Sequence, residues 1–190
     1  MVLPGTYRLE LVADGQTFVQ PLIVKPDPRV TVSANHQKEQ LAFTLGVSEM
    51  FTDITKTVLK IRSIRDQIQS LLKLLAGKEL EEIKGQAKTI VEKLDDIEGL
   101  LHNPKAEVAY DILGGRHGGT MLHSHVEWLF MSARGHLGPP TQGMREAADE
   151  YKALLATHKQ SLQTVVETDL KTLEDLIEKQ GLPRVIVSVR

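Results

Sequence analysis

"FTDITKTVLKIRSIRDQIQSLLKLL", residues 51–75, decides the fold. Phe51, Ile54, Val58, Ile61, Arg65, Ile68, Leu72 and Leu75 stand alternately three and four residues apart. A strand would place its apolar residues at every second position. A helix of 3.6 residues per turn winds a three–four spacing into one stripe along its side. Seven such steps in a row predict a long helix that buries a narrow seam against neighbours. Arg65 within that seam is expected to set register or to snorkel, rather than to bind an anion.

The same rhythm returns in Leu80, Ile83, Ala87, Ile90, Leu94, Ile97 and Leu101. It appears again in Met144, Ala148, Tyr151, Leu155, His158, Leu162 and Val165. Gly77 separates the first two seams, which suits a short connection between helices. A shorter apolar face, Leu122, Val126, Leu129 and Ala133, lies between the second and the last. Pro139 and Pro140 forbid its continuation, Thr141 is placed to cap the next helix, and Gly181 and Pro183 stop that one. The spacing therefore predicts helices over 33–77, 78–103, 120–137 and 141–180, packed as an antiparallel four-helix bundle.

Outside this region the period changes to two. Tyr7, Leu9 and Leu11 share a parity before Asp14-Gly15, and Phe18, Leu22 and Val24 share one after it. Asp-Gly between two alternating runs predicts a hairpin, because a type I′ turn needs positive φ at both central residues. Pro21 assigns the second strand to an edge or a bulge, and "KPDPRV" (25–30) reads as a stiff extended connector. "RVIVSVR" (184–190) alternates and is β-branched, so it is expected to return to the hairpin as a third strand. The expected fold is mainly α: a four-helix bundle with a small antiparallel sheet made by the N-terminal hairpin and the C-terminal strand. The corresponding segments are a hairpin over 1–30, a helical bundle over 31–183 and the strand over 184–190.

The chain has 190 residues, with 23 basic against 25 acidic side chains and a net charge of -2. The bases are scattered, so neither nucleic acid nor an anionic membrane is an expected partner. Cysteine is absent, which excludes disulfides, a thiol nucleophile and Cys-based zinc sites. No apolar run is long enough to span a bilayer, and the first residues lack the pattern of a signal peptide.

Chemistry is concentrated in "GGRHGGTMLHSHVEWLF", residues 114–130. A phosphate-binding loop would need a lysine that is missing. An oxyanion loop would need a nucleophile elbow, and no G-x-S-x-G occurs. A metal site is the stronger functional reading, since neutral imidazoles with a carboxylate can hold zinc or a similar divalent ion around an activated water. The candidate ligands are His117, His123, His125, Glu127 and His158. His123 and Glu127, four apart, share a helical face, whereas His123 and His125 fall on opposite sides of the apolar stripe. Neither H-x-x-x-H nor E-x-x-H is present. The plainer reading makes the glycines a mobile interhelical loop, the histidines its solvated or seam-flanking neighbours, and Trp128 part of the core rim. Glu49 and Asp53 then form a solvated helix face.

"PGTYRLELVADGQTFVQPLIVKPDPRV" (4–30) resembles a junction near the C-terminus of bacterial BNR-repeat proteins, sortilin-like or glycosyl-hydrolase-like. There a propeller is followed by an immunoglobulin-like strand segment and a helical tail. The tail is similar too, with a "PT" loop at Pro140-Thr141 and a closing "GLP" at 181–183. The resemblance implies a non-catalytic helical module of a larger exported, secreted or periplasmic, propeller protein. Its expected partner is that propeller or another protein, with a homodimer formed by strand exchange as a further expectation. The competing expectation is a metal-dependent hydrolase acting on a phosphoester or another activated ester. "RHGGTMLHSH" departs from the family pattern and is not explained by it.

Overall fold

The computed structural model describes residues 2–106 and 118–182. It is mainly helical, with one two-stranded antiparallel sheet. The expected strand over 184–190 lies outside the described residues, as does the greater part of the glycine loop.

The hairpin comprises β1 (Gly5–Ala13) and β2 (Gln16–Val24), in a register that pairs Ala13 with Gln16 and Gly5 with Val24. Asp14 at φ 48° and Gly15 at φ 74° form the two-residue turn, the left-handed pair that the dipeptide was expected to supply. The ladder contains no bulge, and Pro21 stands opposite Arg8.

Helix α1 (Ala34–Leu74) runs for 41 residues, about 60 Å at 1.5 Å per residue. Ser33 caps it by accepting from the His36 N–H. Helices α2 (Glu81–Leu101), α3 (Leu122–Gly135) and α4 (Gln142–Thr164) follow. Thr141 caps α4 as expected, accepting from the Met144 N–H at 3.2 Å. The last helix continues through a π-helical turn, Val165–Leu170, into α5 (Lys171–Lys179). It ends on Gly181 at φ 64°, where the Leu182 N–H reaches back to the Ile177 carbonyl and the Gly181 N–H to that of Glu178. That pair of bonds satisfies carbonyls the helix would leave orphaned.

Cross-helix contacts fix the directions. Arg62 bonds Glu98 and Arg65 bonds Asp95, so α1 and α2 are antiparallel. The Gln40 amide donates to the Ala133 carbonyl while Phe51 packs on His123, so α3 is antiparallel to α1 as well. Glu39 meets Arg145 and Asp53 meets Lys159, contacts that advance fourteen residues along both helices in the same sense. The last helix therefore runs parallel to α1. Lys93 grips Asp169 of the π turn at 2.8 Å, joining the last helix to α2.

These contacts form three rods instead of four helices side by side. One rod is α1, the second is α2 and α3 in tandem, and the third is α4 with its continuation. The physical reason lies in a stripe that the seam omitted. Alongside Ile54, Ile61 and Ile68, α1 buries Thr57, Ile64 and Leu71, while Arg65 and Leu72 are only partly covered. A helix touching two neighbours needs this broader apolar face. On α2, Ile83, Ala87, Ile90, Leu94, Ile97 and Leu101 are all buried, as expected.

The π turn keeps the last rod in phase. Buried residues step from Leu162 to Val165, then five to Leu170, then to Leu173 and Ile177. A regular helix would turn the later residues away from α2, and one wide turn absorbs the extra residue. Deleting Thr168 is accordingly expected to leave helix content intact and the melting temperature within a few degrees. Deleting Thr157 from regular helix, which turns everything downstream by about 100°, is expected to lower the melting temperature sharply. Equal losses in thermal melts of the two variants would overturn this account of the π turn.

Candidate functional site

His102 follows the last residue of α2, and its N–H caps that helix by donating to the Glu98 carbonyl at 2.8 Å. His123 lies in the first turn of α3. The two rings meet at the break in the middle rod, with centroids 5.4 Å apart and planes at 78°. Phe51 of α1 also lies against His123, with ring centroids 4.5 Å apart. The Asn103 side-chain amide straps the break by donating to the Gly119 carbonyl at 2.9 Å. His102 Nδ1 is buried and has no hydrogen-bond partner among the described residues.

His125 leaves the opposite side of α3 and packs on Tyr151 of α4, with centroids 5.7 Å apart. The expectation that His123 and His125 border the apolar stripe on opposite sides is met: one ring meets α1, the other α4. Glu127 is exposed and acts on His123 electrostatically. His158 lies half-buried on α4. His117 is outside the described residues. Among the described residues no three His, Asp or Glu side chains converge closely enough to share a metal ion. Sequence reading missed His102, because a lone histidine twenty-one positions before His123 carries no local signal.

Burial, first, and the neighbouring His102, second, hold the His123 pKa below the ordinary histidine value, against the opposing pull of Glu127. Burial lowers that of His158 in the same direction. A histidine that is harder to protonate when folded stabilises the fold fully above its unfolded pKa of about 6.5. That contribution fades as pH falls below this value, because the unfolded chain takes up the proton more readily. Urea midpoints are therefore expected to drop on acidification from about pH 7 to 5, with a shallower drop in His123→Gln. An unchanged slope in that variant would remove His123 as the responsible group.

Two further expectations concern exposed side chains. Trp128 is 56% exposed on the outer side of α3, beside Met131 at 55%, so it does not pack at the core rim. The apolar needs of α3 are already met by Leu122, Val126, Leu129 and Ala133. Glu49 and Asp53 border a groove of about 700 Å³ between α1 and α4, with Phe43, Met50 and Leu155 among its apolar walls. Asp53 there is spoken for by Lys159 at 2.8 Å.

The hairpin is the other unusual surface. Cross-strand partners share a face, so Tyr7, Leu9 and Leu11 lie with Phe18, Leu22 and Val24 on one side. Leu9 is 55% exposed and Phe18 52%, and every residue of β1 is exposed. No described helix is long and apolar enough to cross a membrane. Comparison with known proteins finds no matching family model, no matching curated protein and no matching solved structure.

Proposed function

We propose that this chain is a non-catalytic docking module, the C-terminal helical part of a larger exported BNR-repeat propeller protein. In this reading the rods form a stiff support and the hairpin is the contact element. One observation carries it: among the described residues the sheet has two strands, and one face sets Tyr7, Leu9, Leu11, Phe18 and Leu22, all exposed, around a single central polar side chain, Gln20. An isolated two-stranded hairpin is marginal in water, and an antiparallel sheet with one apolar face is built to cover a core. A second β layer, packed about 10 Å away, would complete it. Among partners, a β-rich body such as a propeller supplies such a layer.

The test is titration of the chain with the propeller of its parent protein. Saturable binding is expected, and it should be lost in Leu9→Lys and Phe18→Lys while helix content stays unchanged. A folded chain with no affinity for the propeller, or variants that bind as well as the parent chain, would overturn the proposal.

A further inference from the structure

The hairpin has edges as well as a face. In a two-residue hairpin the pair flanking the turn, Ala13 and Gln16, exchanges hydrogen bonds, and pairs then alternate along the ladder. Leu11–Phe18, Leu9–Gln20 and Tyr7–Leu22 are therefore bonded pairs. Thr6, Arg8, Glu10 and Val12 direct their N–H and C=O groups to the outer edge of β1. Those of Thr17, Val19, Pro21 and Ile23 point to the outer edge of β2. Pro21 has no N–H, which breaks the donor row of β2 at its middle. The edge of β1 is unbroken, with four donors and four acceptors. Among the described residues, none of them bonds to any other backbone group outside the ladder.

An open edge of this kind accepts another strand, and its side chains select which one. Arg8 and Glu10 are both exposed and bond each other within the strand. Place a second β1 antiparallel to the first, with the two-fold axis at Leu9. Thr6 then faces Val12 of the second copy, and Arg8 faces its Glu10. Both are positions whose backbone groups point outward, as a bonded pair requires. On the other face Tyr7 meets Leu11 and Leu9 meets Leu9. Sliding the second strand by two residues either way sets Arg8 against Arg8 or Glu10 against Glu10, and like charges directly opposite are unfavourable. Of these registers, only the one about Leu9 sets opposite charges against each other.

We propose that β1 pairs with β1 of a second copy of this chain, in antiparallel register about Leu9, making a four-stranded sheet across a two-fold dimer. Isologous pairing of this kind closes on itself. Charge argues for the edge: across it the exposed Arg8 and Glu10 of each copy meet their opposites in the other. Edge pairing joins the Tyr7, Leu9 and Leu11 faces of the two copies into one continuous surface and leaves it free, so the proposal does not depend on what covers that face.

The experiment is sedimentation velocity on the full chain over a range of concentrations, with Arg8→Glu and Glu10→Arg alone and mixed. The unaltered chain is expected to show a concentration-dependent dimer. Each variant sets like charges against each other and should sediment as a monomer, with unchanged helix content by circular dichroism. An equal mixture of the two restores opposite charges at every facing position and should dimerise again. A chain monomeric at all concentrations, a dimer indifferent to either substitution, or a mixture that stays monomeric would each overturn the proposal.

Discussion

Replacing Ile64 by Ala is expected to destabilise the protein by about 2–5 kcal/mol, as much as the same change at Ile61. Ile61 is fully buried and Ile64 is 1% exposed, so each truncation leaves a cavity among side chains held by several rods. Leu72→Ala, at a seam position, should cost less, since that side chain is only partly covered. The comparison is diagnostic because Ile61 lies in the seam that the three–four spacing marks, whereas Ile64 belongs to the second stripe. Urea unfolding followed by circular dichroism gives the three values. A loss well below 1 kcal/mol at Ile64 would mean that α1 has one apolar face and one neighbour. Equal losses at Ile64 and Leu72 would also contradict the packing described.

The second large effect is expected at Glu98. It is 2% exposed, and its two oxygens bond Arg62 Nε and Arg65 Nη1, each at 2.7 Å. Arg65 also holds Asp95 at 2.7 Å, so the four charges tie α1 to α2 in one register. Bonding to Asp95 first, and attraction to Glu98, hold the Arg65 pKa above its ordinary value, so it is charged throughout the working range. Glu98→Ala leaves Arg62 without its carboxylate beside a buried gap. Removing one member of a buried pair costs about 3–5 kcal/mol, and the part-exposure of both arginines argues for roughly the lower end of that range. Glu98→Leu, which fills the space, should recover part of the loss, because an apolar replacement can offset the desolvation that the carboxylate requires. A Glu98→Ala variant as stable as the parent would show that the pairing is incidental.

The helices over 33–77, 78–103, 120–137 and 141–180 were legible because each expectation rested on interactions within a few residues. Helix periodicity, the Thr141 cap and the stop at Gly181 depend on the local backbone, and so does the Asp14-Gly15 turn. Each is found within a few residues of its expected place. The opposed sides of His123 and His125 follow from the same geometry of one helical turn. For the candidate site this local geometry went no further, since the partner of His123 is His102, brought close only by the break in the middle rod.

Tertiary structure decided the rest. Met50, Thr57, Ile64 and Leu71 form a second stripe in the sequence, but a threonine interrupts it, and nothing local says which neighbour each stripe will meet. The direction of the last helix depends on α2 and α3 stacking end to end, a choice between whole packings that differ in long-range contacts such as Glu39 with Arg145. The π turn is a five-residue step that only the need to face α2 reveals. Trp128 lies outside because four other residues of α3 already fill the space between the rods. Short-range energies set the elements, and their partners were chosen by burial summed over the whole chain.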